Sequence, residues 1–158
     1  MFMKFILTLF LLFLLVNAKA QISILYKGDS TSDYDIAYKI ENGLVHHGNS
    51  SFSRLVYYTI SDNKIYLGET TSSFKCLYTV DGDKVYKGDS RFSSDIIYTI
   101  QSNKVYRGDF PMSSNCVLTI EDNKVYMGDS TFPTDILFTL NSNAVISLAI
   151  LAAIIGPY

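Results

Sequence analysis

The residues best able to do chemistry recur at a fixed interval. A Gly-Asp-Ser-like triplet returns as Gly28-Asp29-Ser30, Gly48-Asn49-Ser50, Gly68-Glu69-Thr70, Gly88-Asp89-Ser90, Gly108-Asp109-Phe110 and Gly128-Asp129-Ser130. If neighbouring triplets line up, Asp29, Asp89, Asp109 and Asp129 form a row of oxygens, and Ca²⁺ collects about six to eight of these. The competing reading is turn chemistry: Gly permits an unusual φ, while Asp and Ser close local turns through their own backbone. Recurrence in every copy, including those with Asn49 and Phe110, favours turns over ligands.

Tyrosine supplies a second ladder. Tyr26, Tyr66, Tyr86, Tyr106 and Tyr126 share one column, and Tyr38, Tyr58, Tyr78 and Tyr98 another. Tyr86, Tyr106 and Tyr126, with Lys84, Lys104 and Lys124 beside them, form a candidate surface for a glycan or an anionic polymer. Cross-strand packing of Tyr on Thr or a β-branched neighbour is the favoured reading, and the absence of Trp weakens the sugar alternative. His46 and His47 are the only histidines. Neighbours on a strand point to opposite faces, so the pair cannot jointly clamp a metal. No GxSxG, HExxH, CxxC or P-loop pattern occurs, which leaves a small hydrolase with His46 or His47 as base the weakest reading. No catalytic residue and no cofactor is assigned.

The elements that must hold these groups follow from an uninterrupted period of twenty. Six copies fill residues 21–40, 41–60, 61–80, 81–100, 101–120 and 121–140, as in DGDKVYKGDSRFSSDIIYTI and EDNKVYMGDSTFPTDILFTL. Each has two β-like runs, for example Lys84 to Gly88 and Asp95 to Ile100, rich in Val, Ile, Tyr and Thr. Asn42-Gly43, Asp62-Asn63, Gly82-Asp83, Ser102-Asn103 and Asp122-Asn123 separate one copy from the next and suit tight hairpins that demand positive φ. A two-residue turn at Asp122-Asn123 sets Ile120 against Val125, Thr119 against Tyr126 and Leu118 against Met127. One face then carries Cys116, Leu118, Ile120 and Val125; the other carries Val117, Thr119, Lys124 and Tyr126.

The expected fold class is all-β: six 20-residue β-hairpin repeats in an antiparallel meander, curled and barrel-like or elongated. Twelve strands need some answer to their open edges, and closure and capping both provide one. The tail, from Ala144 to Ile155, is apolar on every side, with Ser142 or Asn143 as a possible N-cap and Gly156-Pro157 as the stop. It reads as a helix that plugs a curled sheet or caps the last hairpin. Cys76 and Cys116 share a column two copies apart. Four strands separate them, about 19 Å at 4.8 Å per strand, and a disulfide needs Cα atoms within about 7 Å. Free thiols are expected.

The repeat KVYKGDSxxSSDIxYTI, as it stands at 84–100, resembles those of a family of small exported bacterial proteins. The likeness covers essentially the whole chain after residue 20. It implies a signal peptide, four to six such copies and a short apolar helix, and it carries over no catalytic residues. The second copy departs most, with His46-His47 and Leu55.

Composition and the N-terminus narrow the function. Lys4, the apolar run at 5–16 and Ala18-Lys19-Ala20 form a signal peptide with cleavage after Ala20, giving domains at 1–20, 21–140 and 141–158. Removing 1–20 takes away Lys4 and Lys19 and no acid, so the formal charge falls from −2 to −4. That balance argues against nucleic-acid binding. Twelve apolar residues also fall short of the about 20 that span a membrane. The expectation is an exported, periplasmic or extracellular, non-enzymatic β-repeat protein that serves a protein or cell-surface partner. The alternative is a calcium- or glycan-binding module.

Overall fold

The structure is a computed structural model describing residues 22–50, 55–142, 144 and 146–156. The signal segment expected at 1–20 lies outside these residues. The strands are β1 (Ser23–Lys27), β2 (Ile36–Glu41), β3 (Leu44–His47), β4 (Val56–Ser61), β5 (Lys64–Leu67), β6 (Cys76–Asp81), β7 (Lys84–Lys87), β8 (Ile96–Gln101), β9 (Lys104–Arg107), β10 (Cys116–Glu121), β11 (Lys124–Met127) and β12 (Ile136–Leu140). A helix, α1 (Leu148–Ile155), follows. Every strand pairs antiparallel with its sequence neighbours, and β1 pairs with β12, so the sheet closes into a barrel.

Turn chemistry sets the hairpins. Asp62, Asn63, Asp122 and Asn123 have φ of 50°, 60°, 48° and 64°, the positive values that a two-residue turn requires at both central positions. Register follows: Leu118 faces Met127, Thr119 faces Tyr126 and Ile120 faces Val125, as the alternation predicts. The other pairings contain an irregularity. Between β9 and β10, Cys116 faces Tyr106 but Leu118 faces Val105, so one residue is extra. This bulge turns Cys116 away from Leu118 and onto the side of Thr119, whose Oγ1 lies 3.8 Å from its Sγ. The expected placement of Cys116 with Leu118, Ile120 and Val125 is therefore corrected. Cys76 and Cys116 are free and half-buried. Burial is the main influence pushing both thiols above their usual range, which keeps them protonated and unreactive near neutral pH.

Stagger explains the closure. Lys84 lies opposite Thr99, and Thr99 opposite Tyr106. That line meets the next copy two residues past Lys104, the equivalent of Lys84. Six copies accumulate a stagger of about 12 residues, which suits a 12-strand ring with strands tilted about 35–45°. At the seam, where no covalent turn joins β12 to β1, Asn141 takes the place of one. Its N–H donates to the Ile24 carbonyl at 3.0 Å, and its Oδ1 accepts from the Ile24 N–H at 2.8 Å.

The barrel interior is a stack of repeated side chains. Leu25, Val45, Ile65, Val85, Val105 and Val125, one per copy, are all 0% exposed. The helix fills the space inside them. Closed sheets of about eleven strands have room for one central helix, and eight residues rise about 12 Å, within the height of a six-residue strand at about 20 Å. It packs against β5 to β9, and Leu151, Ile154 and Ile155 are buried, each stabilising the fold by about 2 kcal/mol. The helix begins later than Ala144, because Ser147 caps it by accepting from the Ile150 N–H at 3.2 Å. Gly156, with φ 78°, ends it as expected. No described helix is long and apolar enough to cross a membrane.

Gly43 provides the sharpest local test. A Cβ there would lie 2.7 Å from the Ile60 carbonyl oxygen, at a backbone φ of 77°. Gly43→Ala should lower unfolding free energy by about 2 kcal/mol or more, read from urea midpoints; an unchanged midpoint would contradict this turn geometry.

Candidate functional site

The Gly-Asp-Ser loops do not project from the barrel end. In five copies a threonine on the outer wall donates to the glycine carbonyl of a neighbouring loop: Thr59 to Gly68, Thr79 to Gly88, Thr99 to Gly108, Thr119 to Gly128 and Thr139 to Gly28, at 2.7–2.8 Å. Each loop is thereby folded back on the outside of the sheet. Inside the loop, Ser30, Ser90 and Ser130 donate to Asp35, Asp95 and Asp135 at 2.6, 2.5 and 2.5 Å, clamping the turn as side-chain competition with backbone allows.

This folding-back decides the fate of the predicted site residues. Asp89, Asp129 and Asp29 pair with Lys64, Lys104 and Lys124 at 2.7, 2.5 and 2.7 Å, and Asp109 pairs with Lys84. The partner lies 25 residues on, and Lys124 to Asp29 carries the same step across the seam. The four carboxylates thus form a girdle of separate ion pairs, at four of the six junctions, and do not converge on a point. Among the described residues no group of three or more His, Cys, Asp or Glu is placed to hold a metal. Tyr86 and Tyr126 are buried beneath the loops and Tyr106 is half-buried, so the outer Tyr/Lys surface is occupied by the protein's own loops.

The other tyrosine column faces inward at the loop end. Tyr38, Tyr58, Tyr78 and Tyr98 stand opposite His47, Leu67, Lys87 and Arg107; Leu118 and Phe138 complete the ring opposite Met127 and Lys27. The result is a mouth with an aromatic floor and an exposed rim of Lys27, His47, Leu67, Lys87, Arg107 and Met127. Burial foremost pushes the Tyr58 and Tyr98 phenols upward, so they remain neutral hydroxyls at physiological pH. No rim or floor position is acidic, and Lys27 and Lys87 form no ion pair among the described residues. The outer lysines each have a carboxylate; these inner cations do not.

Two cavities open here. One of about 380 Å³ is lined by Tyr78, Tyr98, Ile97, Lys87 and Arg107. The second, about 320 Å³, involves Lys27, Tyr38, His47 and Phe138. Sequence reading missed the rim, although a signal was present: it is the variable position of the KVYxG motif, changing from copy to copy in a constant frame.

The repeated contacts break where the first copy meets the second. In the first copy Lys39 replaces the threonine and Ile24 the girdle lysine; in the second, Leu44 replaces the girdle lysine and Leu55 the clamping acid. His46 occupies the outer tyrosine column, 3% exposed, its Nδ1 lacking a hydrogen-bond partner among the described residues. His47 lies on the other face, its ring centroid 5.4 Å from that of Tyr57, so the two histidines are separated as expected.

A closed ring of six equivalent hairpins around a helix defines a six-fold β-repeat barrel. The chain matches the model of the 6-fold beta flower protein family over residues 25–151 and belongs to that family. Comparison with curated proteins and with solved structures gives no match.

Two outcomes follow. Hydrogen bonding to the aspartates, the largest cause, raises the Lys64, Lys84, Lys104 and Lys124 pKa values. A lysine whose folded pKa is raised contributes stability below its unfolded value of about 10.4 and loses it as pH climbs through the folded value. Replacing Asp29, Asp89, Asp109 and Asp129 by Asn should lower the Tm at pH 8, and the gap to the parent should close as pH passes about 10.5; a constant gap would contradict the girdle. Restoring the repeat with Lys39→Thr and His46→Tyr should raise stability by about 1 kcal/mol or more, since it supplies the missing hydroxyl bond and removes a buried unpartnered nitrogen. Paired urea melts measure this.

Proposed function

We propose that this chain is an exported, non-enzymatic β-repeat scaffold that holds a protein or cell-surface partner at the loop-end mouth of its barrel. The observation that carries the reading is the contrast between two sets of cations. Each girdle lysine is neutralised by the chain itself, whereas Lys27 and Lys87 lie on a rim without acid, above neutral tyrosines. Aromatic surface with a few fixed charges is the usual composition of a binding hot spot. Lys4, the 5–16 apolar run and Ala18-Lys19-Ala20 support export.

A non-enzymatic role fits a chain that repeats its polar groups in place of gathering a unique set. His46 and His47 sit on opposite faces, and among the described residues neither has a nucleophile hydrogen-bonded to it in the manner of an activated pair. No cofactor is proposed. Calcium at the Gly-Asp-Ser loops would have to displace four lysines, which disfavours that alternative.

Expression of the full chain with a C-terminal tag tests the reading in two arms. Mass spectrometry of the exported product should give Gln21 as the first residue; a product retaining Met1 inside the cell would overturn export. Cell-envelope extract is then passed over the purified chain, over a rim variant (Lys27→Ser, Lys87→Ser, Arg107→Ser) and over a girdle variant (Lys84→Ser, Lys104→Ser, Lys124→Ser). The rim variant should lose the captured partner with its Tm intact, and the girdle variant should lower the Tm but keep the partner. Equal capture by all three would contradict a binding mouth.

A further inference from the structure

We propose that the mouth cavity at the seam, bounded by β12, β1, β2 and β3, binds one compact aromatic carboxylate. The site, which presupposes that the mouth is the binding end, is complete only when the barrel is closed.

Strand register puts the lining on one face. Leu25 and Val45 are 0% exposed and point into the barrel. Side chains two residues further along share their face, which places Lys27 and His47 on the inner side at the mouth. Tyr38 stands opposite both Leu25 and His47, and Phe138 stands opposite Lys27. Ala37 and Leu137, the extra residues of two bulges, pack with the same core. These six residues line a cavity of about 320 Å³. Leu137 and Phe138 come from the last strand and the other four from the first three, so both ends of the repeat array contribute.

The lining selects the ligand. Three rings adjoin: Phe138 and Tyr38 have centroids 6.3 Å apart, and Tyr38 meets His47 edge-on at 6.1 Å. They form a continuous aromatic wall from β12 to β3, and contact between rings adds to area burial for a flat aromatic body. The wall uses the Tyr38 ring and asks nothing of its hydroxyl. Lys27, on β1, lies between the strands that carry Phe138 and Tyr38. It has no carboxylate partner among the described residues, and no lining residue is acidic. An ammonium without a counter-charge favours an anion and repels a cation. About 320 Å³ is at the small end of ligand sites, typically about 300–1,000 Å³, which favours a compact molecule over a polymer. The ring has one seam, so one site per chain is expected.

The test uses 3-phenylpropionate and its neutral amide, 3-phenylpropanamide, titrated calorimetrically into the purified full chain at pH 8. The carboxylate should bind one per chain and about fivefold more tightly than the amide, the difference expected of one charge-assisted hydrogen bond at an exposed cation. Hexanoate, which has the charge without the ring, should bind more weakly than 3-phenylpropionate. Lys27→Gln should abolish the preference for carboxylate over amide, and Lys27→Arg should keep it. Lys104→Gln, on the outer wall, should leave it unchanged. A second readout needs no variant. The Gly28 N–H donates to the Leu137 carbonyl across the seam, so 3-phenylpropionate at ten times its Kd should slow exchange of that amide about tenfold, because an opened seam dismantles the site. Equal binding of carboxylate and amide, hexanoate binding as tightly as 3-phenylpropionate, an undiminished preference in Lys27→Gln, no saturable binding, or binding that leaves Gly28 exchange unchanged would overturn the inference. If the carboxylate fails to bind while envelope-partner capture still depends on the rim, this inference fails alone; if both fail, the mouth is not a binding site.

Discussion

Everything in this molecule depends on the pairing of the first strand with the last. Five of the six hairpins have a covalent turn; the sixth is assembled from β12 and β1, the two ends of the repeat array. The seam reproduces each contact of a regular copy. Thr139 donates to the Gly28 carbonyl, Lys124 reaches Asp29, and the Gly28 N–H donates to the Leu137 carbonyl at 2.8 Å. Without that pairing two edges would stand open to other chains, and the inner ring from Leu25 to Val125 would not enclose a helix.

Closure gives the two faces of the sheet different tasks. The outer face carries Thr, Tyr and Lys, yet it is covered by folded-back loops whose aspartates and carbonyls absorb those groups. The inner face carries Ile, Val and Tyr and surrounds a helix of Leu, Ala and Ile. The described residues of that helix, Leu148–Ile155, carry no charge into the barrel interior, and among the described residues the charged side chains of the inner face stand at the loop end, where the rim residues meet water. The girdle is thus satisfied by the chain itself, the core is apolar, and the mouth keeps rim cations without a carboxylate at Lys27 and Lys87 among the described residues.

Much of this was legible from the twenty-residue period. Hairpins, turn residues, the register of Leu118 on Met127 and the tail helix follow from local alternation and turn chemistry. Closure did not, because each copy reads the same in an open array and in a ring; it emerges from the stagger of Lys84, Thr99 and Tyr106. The face of Cys116 was misassigned because a bulge adds one residue without altering the hydrophobic pattern. For Asp29, Asp89, Asp109 and Asp129 turn chemistry was the favoured reading and calcium the alternative; the ion pairs were missed because nothing local reveals that a loop folds back onto a lysine 25 residues away. The mouth was legible in principle, through the one position that varies among otherwise equal strands.

The most direct test of the closed ring compares amide hydrogen exchange at equivalent glycines. The Gly28 N–H lies at the non-covalent seam, while the Gly128 N–H donates to Val117 at 2.8 Å within a covalent hairpin. A closed barrel predicts comparable protection at both, along with slow exchange of the Asn141 amide. Fast exchange of Gly28 and Asn141, with Gly128 still protected, would show an open sheet and contradict the account.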